Sequence, residues 1–200
     1  MLSGDPAAHS LVQSLGVLRK LAQIQKGSRL QEMGGVHGTR AMTVELLPIT
    51  RFSREVSDIL YDLLAERPKH AQISHRKMPT KQEHDRFVRT WRRRYRAFYF
   101  IGVPFIDGSC HIRVGAIYLT HLNEIGIAIF AEYQGCGYGS SAVKTLIKKH
   151  NPLPAIPGQR VAKFIANVNP MNMASIGMFR KLGFKDHMVT LMKGVRNGQA

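Results

Sequence analysis

A mixed α/β domain is the fold class that this sequence predicts, and three features predict it. Runs with strand-like alternation are interleaved with segments of helical spacing. A glycine-spaced turn joins the last of three successive strand-like runs to a helix. Of the 200 residues, 44% belong to the apolar set, enough for one substantial core with a terminus left over.

Residues 1–40 read as an N-terminal extension. Leu11, Leu15, Leu18 and Leu21 recur at helical spacing, which predicts a short amphipathic helix over 10–25. Gly34, Gly35 and Gly38 mark 27–39 as a linker. That helix packs on the domain, packs on a partner subunit, or forms only transiently. The domain proper runs over 41–196, and 197–200 form a tail.

Within the domain, 42–47 alternates as a first strand and 53–66 as a helix. Ser53 is a suitable cap and Glu55 puts a negative charge in the first turn, where the helix dipole favours it. Val56 stands three beyond the cap, so no reciprocal capping box forms, and Pro68 ends the helix. Thr80 followed by Glu83 marks a second helix start after the polar stretch 72–80, continuing through Trp91. Residues 97–103, 109–119 and 124–130 read as strands, with Asp107-Gly108 turning between the first two. A helix over 140–150, a strand over 161–168, a helix over 172–182 and a final strand over 185–193 complete the order. Pro152, Pro154 and Pro157 suit the connection between the first two of these.

The chain is strongly basic: 29 Lys and Arg against 13 Asp and Glu give a formal charge of +16. Such a surplus attracts nucleic acid, nucleotides or other anions without determining chemistry; solubility and affinity for an anionic cofactor are the plainer reasons for it. Arg89, Arg92, Arg93, Arg94 and Arg96 form the densest basic cluster, interleaved with Trp91 and Tyr95. Phosphate contact with stacking uses this mixture, as does a solvated helix end. Two cysteines, Cys110 and Cys136, are too few for a disulfide scaffold and lack metal-ligand spacing. No histidine group has zinc spacing, so no metal is expected. Without a leader-like or membrane-spanning run, a cytoplasmic, reduced setting without membrane contact is expected.

Gly135, Gly137 and Gly139 lie at alternate positions between an apolar run and a helix, so bare backbone N–H groups can face an anion. This is the outline of a pyrophosphate cradle over Gln134 to Ser140. It is not the dinucleotide fingerprint, because no second βα unit with a ribose-binding acid follows, and no Gly-Lys-Ser/Thr makes it a P-loop. Cys136 inside this loop is either a small filler or a nucleophile.

Gln134, Gly135, Cys136, Gly137, Tyr138 and Gly139, together with the later segment from Asn169 through Asn172 to Lys181-Leu182-Gly183-Phe184, resemble the two motifs of the GNAT superfamily of acetyl-CoA-dependent N-acetyltransferases. The resemblance extends over roughly 42–192. It implies a GNAT-like, mostly antiparallel central sheet flanked by helices and splayed at the cofactor site. It further implies acetyl-CoA as cofactor, with its diphosphate on Gln134, Gly135, Cys136, Gly137, Tyr138, Gly139 and Ser140, with Ile127, Ile129 and Asn172 beside its arm, and with Phe179 among the cofactor-binding residues. Asn172 also suits helix capping. Phe179 occupies the place where the family often keeps a tyrosine as general acid, and it cannot donate a proton.

Acetyl transfer requires an amine that loses a proton and attacks a thioester carbonyl. Glu124 matches a place where related enzymes often keep a glutamate base; a charge at the edge of a strand is the alternative. His75 and His121 are further catalytic candidates, with His111 behind them. The expected acceptor is a primary amine on a small or phosphorylated metabolite, such as an amino sugar or sugar nucleotide. An aminated nucleobase in DNA, a protein amine, or a binding module without catalysis are the alternatives. A homodimer is the assembly considered.

Overall fold

The computed structural model describes residues 43–68, 71, 77–104 and 111–188. The predicted N-terminal helix and linker, His75, Cys110, the Asp107-Gly108 turn and the C-terminal tail lie outside the described residues.

A four-stranded antiparallel sheet forms the middle layer, in the order β1 (Glu45–Pro48), β2 (Tyr95–Pro104), β3 (His111–Thr120) and β4 (Ile125–Ile129). Each strand pairs with its neighbour in sequence, so the sheet is a meander. One face packs against α1 (Arg54–Ala65) and α2 (Lys81–Arg89), the other against α3 (Tyr138–Lys149) and, beside it, α4 (Met173–Lys181). The fold is therefore mixed α/β with a central antiparallel sheet flanked by helices. The longest strands, β2 and β3, bury Phe98, Phe100, Ile101, Val114, Ile117 and Leu119 on both faces.

Local chemistry explains the helix boundaries. The Ser53 hydroxyl accepts the Val56 N–H at 3.1 Å, starting α1, whose Ser57, Leu60 and Leu63 face inward at helical spacing. Thr80 and Glu83 close a reciprocal capping box at the start of α2: the Thr80 N–H donates to the carboxylate and the Glu83 N–H to the hydroxyl. This helix stops at Arg89, short of the predicted Trp91. The Thr90 hydroxyl donates back to the Arg86 carbonyl, and Trp91 turns into the core to meet Phe98 edge to face at 5.8 Å.

Two predicted strands differ from the structure. In 161–168 only Ile165 pairs, in a parallel bridge with Glu124: the Ile125 N–H donates to the Ile165 carbonyl and the Ile165 N–H to the Asn123 carbonyl. Phe164, Ala166 and Val168 pack toward the core instead of continuing a ladder. The described part of 185–193, residues 185–188, is no strand, because Asp186 takes both the Nε and Nη2 donors of Arg180 and folds back on α4.

Asn123 anchors the junction at β4. It is fully buried with a left-handed φ of 64°. Its amide donates to the Leu153 and Val161 carbonyls and its oxygen accepts the Leu153 N–H. The proline-containing connection is thereby fixed to the start of the strand that opens the site.

Candidate functional site

Past the Glu124–Ile165 bridge, β4 ends the sheet and the chain at 166–168 turns to the core. Two chain segments that meet at one point and separate form a fork, and β4 runs from this fork into the glycine loop.

A short 3-10 turn, Ala131–Tyr133, carries the chain from β4 into that loop. The Gln134 amide donates to the Ile129 carbonyl at 3.0 Å, and the Ala131 N–H donates to the Glu66 carboxylate at 3.1 Å, so both strand end and α1 hold the loop. Gly135 and Gly137 have φ of 76° and 80°, and a Cβ on either would meet nothing within 4 Å. Only glycine adopts that backbone without strain, and it leaves the main chain open to a ligand. Gly137 caps α3 without a side-chain hydrogen bond, and Ser141 makes the first N–H···O bond back to Gly137. The first-turn N–H groups of Tyr138, Gly139 and Ser140 precede that ladder, with the positive end of the helix dipole beside them. No acid occupies this first turn. Backbone donors and bare glycines of this kind fit a diphosphate.

Gly139 serves a different contact. A Cβ there would stand 3.0 Å from the Met178 sulfur and within 3.9 Å of Ile127 and Ile129 side chains, so this glycine lets α3 approach α4 and β4. Cys136 is half-buried, its thiol 3.6 Å from the Gln134 carbonyl.

Glu124 sits at the fork, half-buried. Asn167 donates to one carboxylate oxygen at 2.8 Å, and the Thr120 hydroxyl lies 3.4 Å from the other. The carboxylate is thus held between the turn before β4 and the segment diverging from it.

On the same face as Glu124 two strand residues lie together: Tyr95, which the sequence marks only as a neighbour of the arginines, and Tyr118, which it does not mark. Tyr118 is the register partner of Gly126, and its ring stacks on Tyr95 with centroids 4.2 Å apart and 11° between planes. Burial pushes both phenols above the ordinary tyrosine value. A glycine in mid-strand was the signal available in the sequence, since it often marks a close approach.

The other predicted residues are placed as follows. The His121 ring contacts the Arg92 carbonyl at 3.3 Å and is exposed. His111 lies at the opposite end of β3, 3.0 Å from Glu45. Asn172 caps α4, accepting the Ser175 N–H at 3.1 Å, with Met171 and Met173 beside it largely exposed. Phe179 is 6% exposed and packs edge to face on Phe184 at 5.0 Å.

Three of the five clustered arginines have partners within the chain. Arg89 covers the Phe52 ring at 3.7 Å, Arg92 donates to the Thr50 carbonyl and Arg96 donates to the Asn151 carbonyl at 2.7 Å. Arg93 and Arg94 are exposed. Among the described residues no group of three or more His, Cys, Asp or Glu could hold a metal ion, and no helix is long and apolar enough to cross a membrane.

A family model described as an acetyltransferase (GNAT) domain matches residues 48–185. Among solved structures, the chain is similar to a domain from Methanocaldococcus jannaschii DSM 2661, with a TM-score of 0.55 and 20% identity, covering 72% of this chain and 90% of that one. It is similar also to a candidate acetyltransferase from Acinetobacter baylyi ADP1, with a TM-score of 0.51 and 19% identity, covering 78% and 87%. At these identities the structural likeness is one of fold. No curated protein matches the sequence.

Proposed function

The chain belongs to the GNAT acetyltransferase family, and from that membership we propose that it moves an acetyl group from acetyl-CoA to a primary amine by direct transfer. The observation that carries this reading is the fork at Glu124 and Ile165, from which β4 leads straight to the left-handed glycines ahead of α3. Acetyl-CoA supplies the acyl group as a thioester and departs as the thiol.

The N–H groups of Gly135, Cys136, Gly137, Tyr138, Gly139 and Ser140 are the donors for the diphosphate. The backbone of Ile127 and Ile129 and the Asn172 side chain line the path of the arm. Glu124 takes the proton that the amine sheds, directly or through a water; the Asn167 and Thr120 contacts aim its carboxylate.

The acceptor is a small, phosphorylated amine, such as an amino sugar phosphate or an aminated sugar nucleotide. The +16 charge supports an anionic acceptor. Exposed Arg93 and Arg94 favour, as a second reading, an amine carried on nucleic acid.

Labelled acetyl-CoA incubated with fractionated amines, phosphorylated amino sugars, sugar nucleotides and amine-bearing DNA tests both readings. Saturable acetyl-CoA binding with label transferred to a phosphorylated amine is the expected result. Absence of acetyl-CoA binding overturns the proposal, and transfer confined to the DNA replaces the first acceptor with the second.

A further inference from the structure

The arginines after α2 belong to a larger feature, which the fold assembles from turns far apart in sequence. The His121 ring, in the β3–β4 turn, contacts the Arg92 carbonyl at 3.3 Å, and the His121 N–H approaches the Arg94 carbonyl at 3.5 Å. From the other side, Arg160 donates through Nη1 to the His121 carbonyl at 2.9 Å and through Nε to the Pro154 carbonyl at 2.8 Å. Arg160 closes a tight turn of the proline-containing connection, exchanging N–H···O bonds with Ile156 at 2.8 and 2.9 Å. At the start of that connection the Asn151 carbonyl accepts from Arg96 at 2.7 Å, and Lys149, at the end of α3, lies over the Tyr99 ring at 5.1 Å. One ridge of cations therefore runs from the end of α2 across the β3–β4 turn to the end of α3.

The partners that hold these arginines are carbonyl oxygens. A carbonyl fixes the direction of a guanidinium without cancelling its charge, whereas a carboxylate does both, and each guanidinium has further N–H groups to spare. Among the described residues no carboxylate pairs with any cation of the ridge. Arg96 and Arg160 stand close enough to oppose each other: burial first and Arg160 next lower the Arg96 pKa, and the Arg96 Nε is buried without a hydrogen-bond partner. Gathering like charges costs the fold stability, which bound anions recover.

The sequence also suggested stacking by Trp91 and Tyr95, and the structure withdraws both. Trp91 is 7% exposed and packs on Phe98, and the Tyr95 ring is stacked on Tyr118. Single strands are held by cations together with aromatic faces, so the ridge lacks half of that equipment. Cations alone suit the phosphate rows of a duplex. A-form RNA is recognised in large part through its 2′-hydroxyls, which call for neutral donors and acceptors where the ridge offers charge.

We propose that this ridge docks double-stranded DNA through its phosphates, without reading base sequence. The proposal goes beyond the transferase reading and needs no step of it. One end of the ridge adjoins the fork, since the turn that carries His121 returns at Glu124, whose carbonyl accepts the Thr120 N–H at 2.9 Å.

Fluorescence anisotropy of the full chain with a labelled duplex of about 20 base pairs, over about 50 to 200 mM salt, tests it. Binding should weaken steeply with salt and be equal for two unrelated sequences. Arg93→Glu combined with Arg94→Glu, both exposed, should lower affinity roughly tenfold or more and make the slope of log K against log salt shallower by about two. Arg160→Gln should act in the same direction by less. Lys144→Glu combined with Lys181→Glu makes the same change of charge in the cleft between α3 and α4, and should alter affinity by less than about twofold. Melting temperature and acetyl-CoA affinity of the Arg93 and Arg94 variant should stay as in wild type. Absence of duplex binding at the lowest salt, an equal loss in the Lys144 and Lys181 variant, or tighter binding of a single strand or of duplex RNA overturns the proposal. None of these outcomes touches the transferase reading, which fails instead if wild type does not bind acetyl-CoA.

Discussion

Single side chains carry the chemistry proposed at the fork. Glu124 has its carboxylate held by Asn167 and Thr120, and in the proposed reaction it takes the amine proton. Glu124→Gln keeps the shape and removes the proton acceptor, so turnover should fall about 10²-fold while acetyl-CoA affinity stays as it is. Steady-state rates alongside calorimetric titration check this; unchanged turnover removes Glu124 from the mechanism. Asn123 is the structural counterpart. Its side chain is fully buried and makes three hydrogen bonds, and Asn123→Ala loses all of them while keeping a strained left-handed backbone. A loss of about 3 kcal/mol in urea unfolding is expected. A loss under about 0.5 kcal/mol would mean that the connection over 151–165 is held by other contacts.

At the scale of elements, the loop before α3 and the pairing of α1 with α2 each make a measurable claim. Gly137→Ala forces a side chain into φ of 80° and should cost about 1–2 kcal/mol of stability as well as acetyl-CoA affinity. Gly177→Ala, inside α4 with open space around it, is the control and should be neutral or slightly stabilising. Equal effects in the two variants would show that the loop conformation has no special role. Between α1 and α2, the His84 ring contacts the Ser57 carbonyl at 3.1 Å, the Ser57 hydroxyl donates to Asp85, and Lys81 approaches Asp58 and Asp85. Burial holds His84 below its ordinary value of 6.5, with Lys81 acting in the same sense and the Ser57 carbonyl, Asp85 and Asp58 opposing. The unfolded chain therefore takes up a proton that the folded one refuses. His84 thus contributes stability that is complete above pH 6.5 and is lost as pH falls below that value. His150 is shifted in the same direction, by burial and then by Arg96 and Lys149. His84→Gln should therefore flatten, without abolishing, the fall in melting temperature between about pH 7.5 and about pH 5.5. An unchanged slope assigns the whole effect to other groups.

For the whole molecule, the matched family region begins at residue 48, and the described residues at 43. We therefore expect removal of residues 1–40 to leave acetyl-CoA affinity intact; a folded truncation that no longer binds would make the extension part of the site. The sequence by itself determined the helix starts at Ser53 and Thr80, the order of strands and helices as far as α3, and the position of the glycine loop. These depend on neighbours in the chain: a cap and its acceptor are three residues apart, and alternation is a local property. Tertiary structure alone decided that 161–168 touches the sheet only at Ile165, that Gly139 serves helix packing, and that Tyr118 lies over Gly126 of β4. It alone brought Asn167 to Glu124, 43 residues away, and Asn123 to Leu153, 30 away. Such contacts leave no periodic trace in a sequence, because they are selected by the packing of segments whose separation along the chain says nothing of their distance in space.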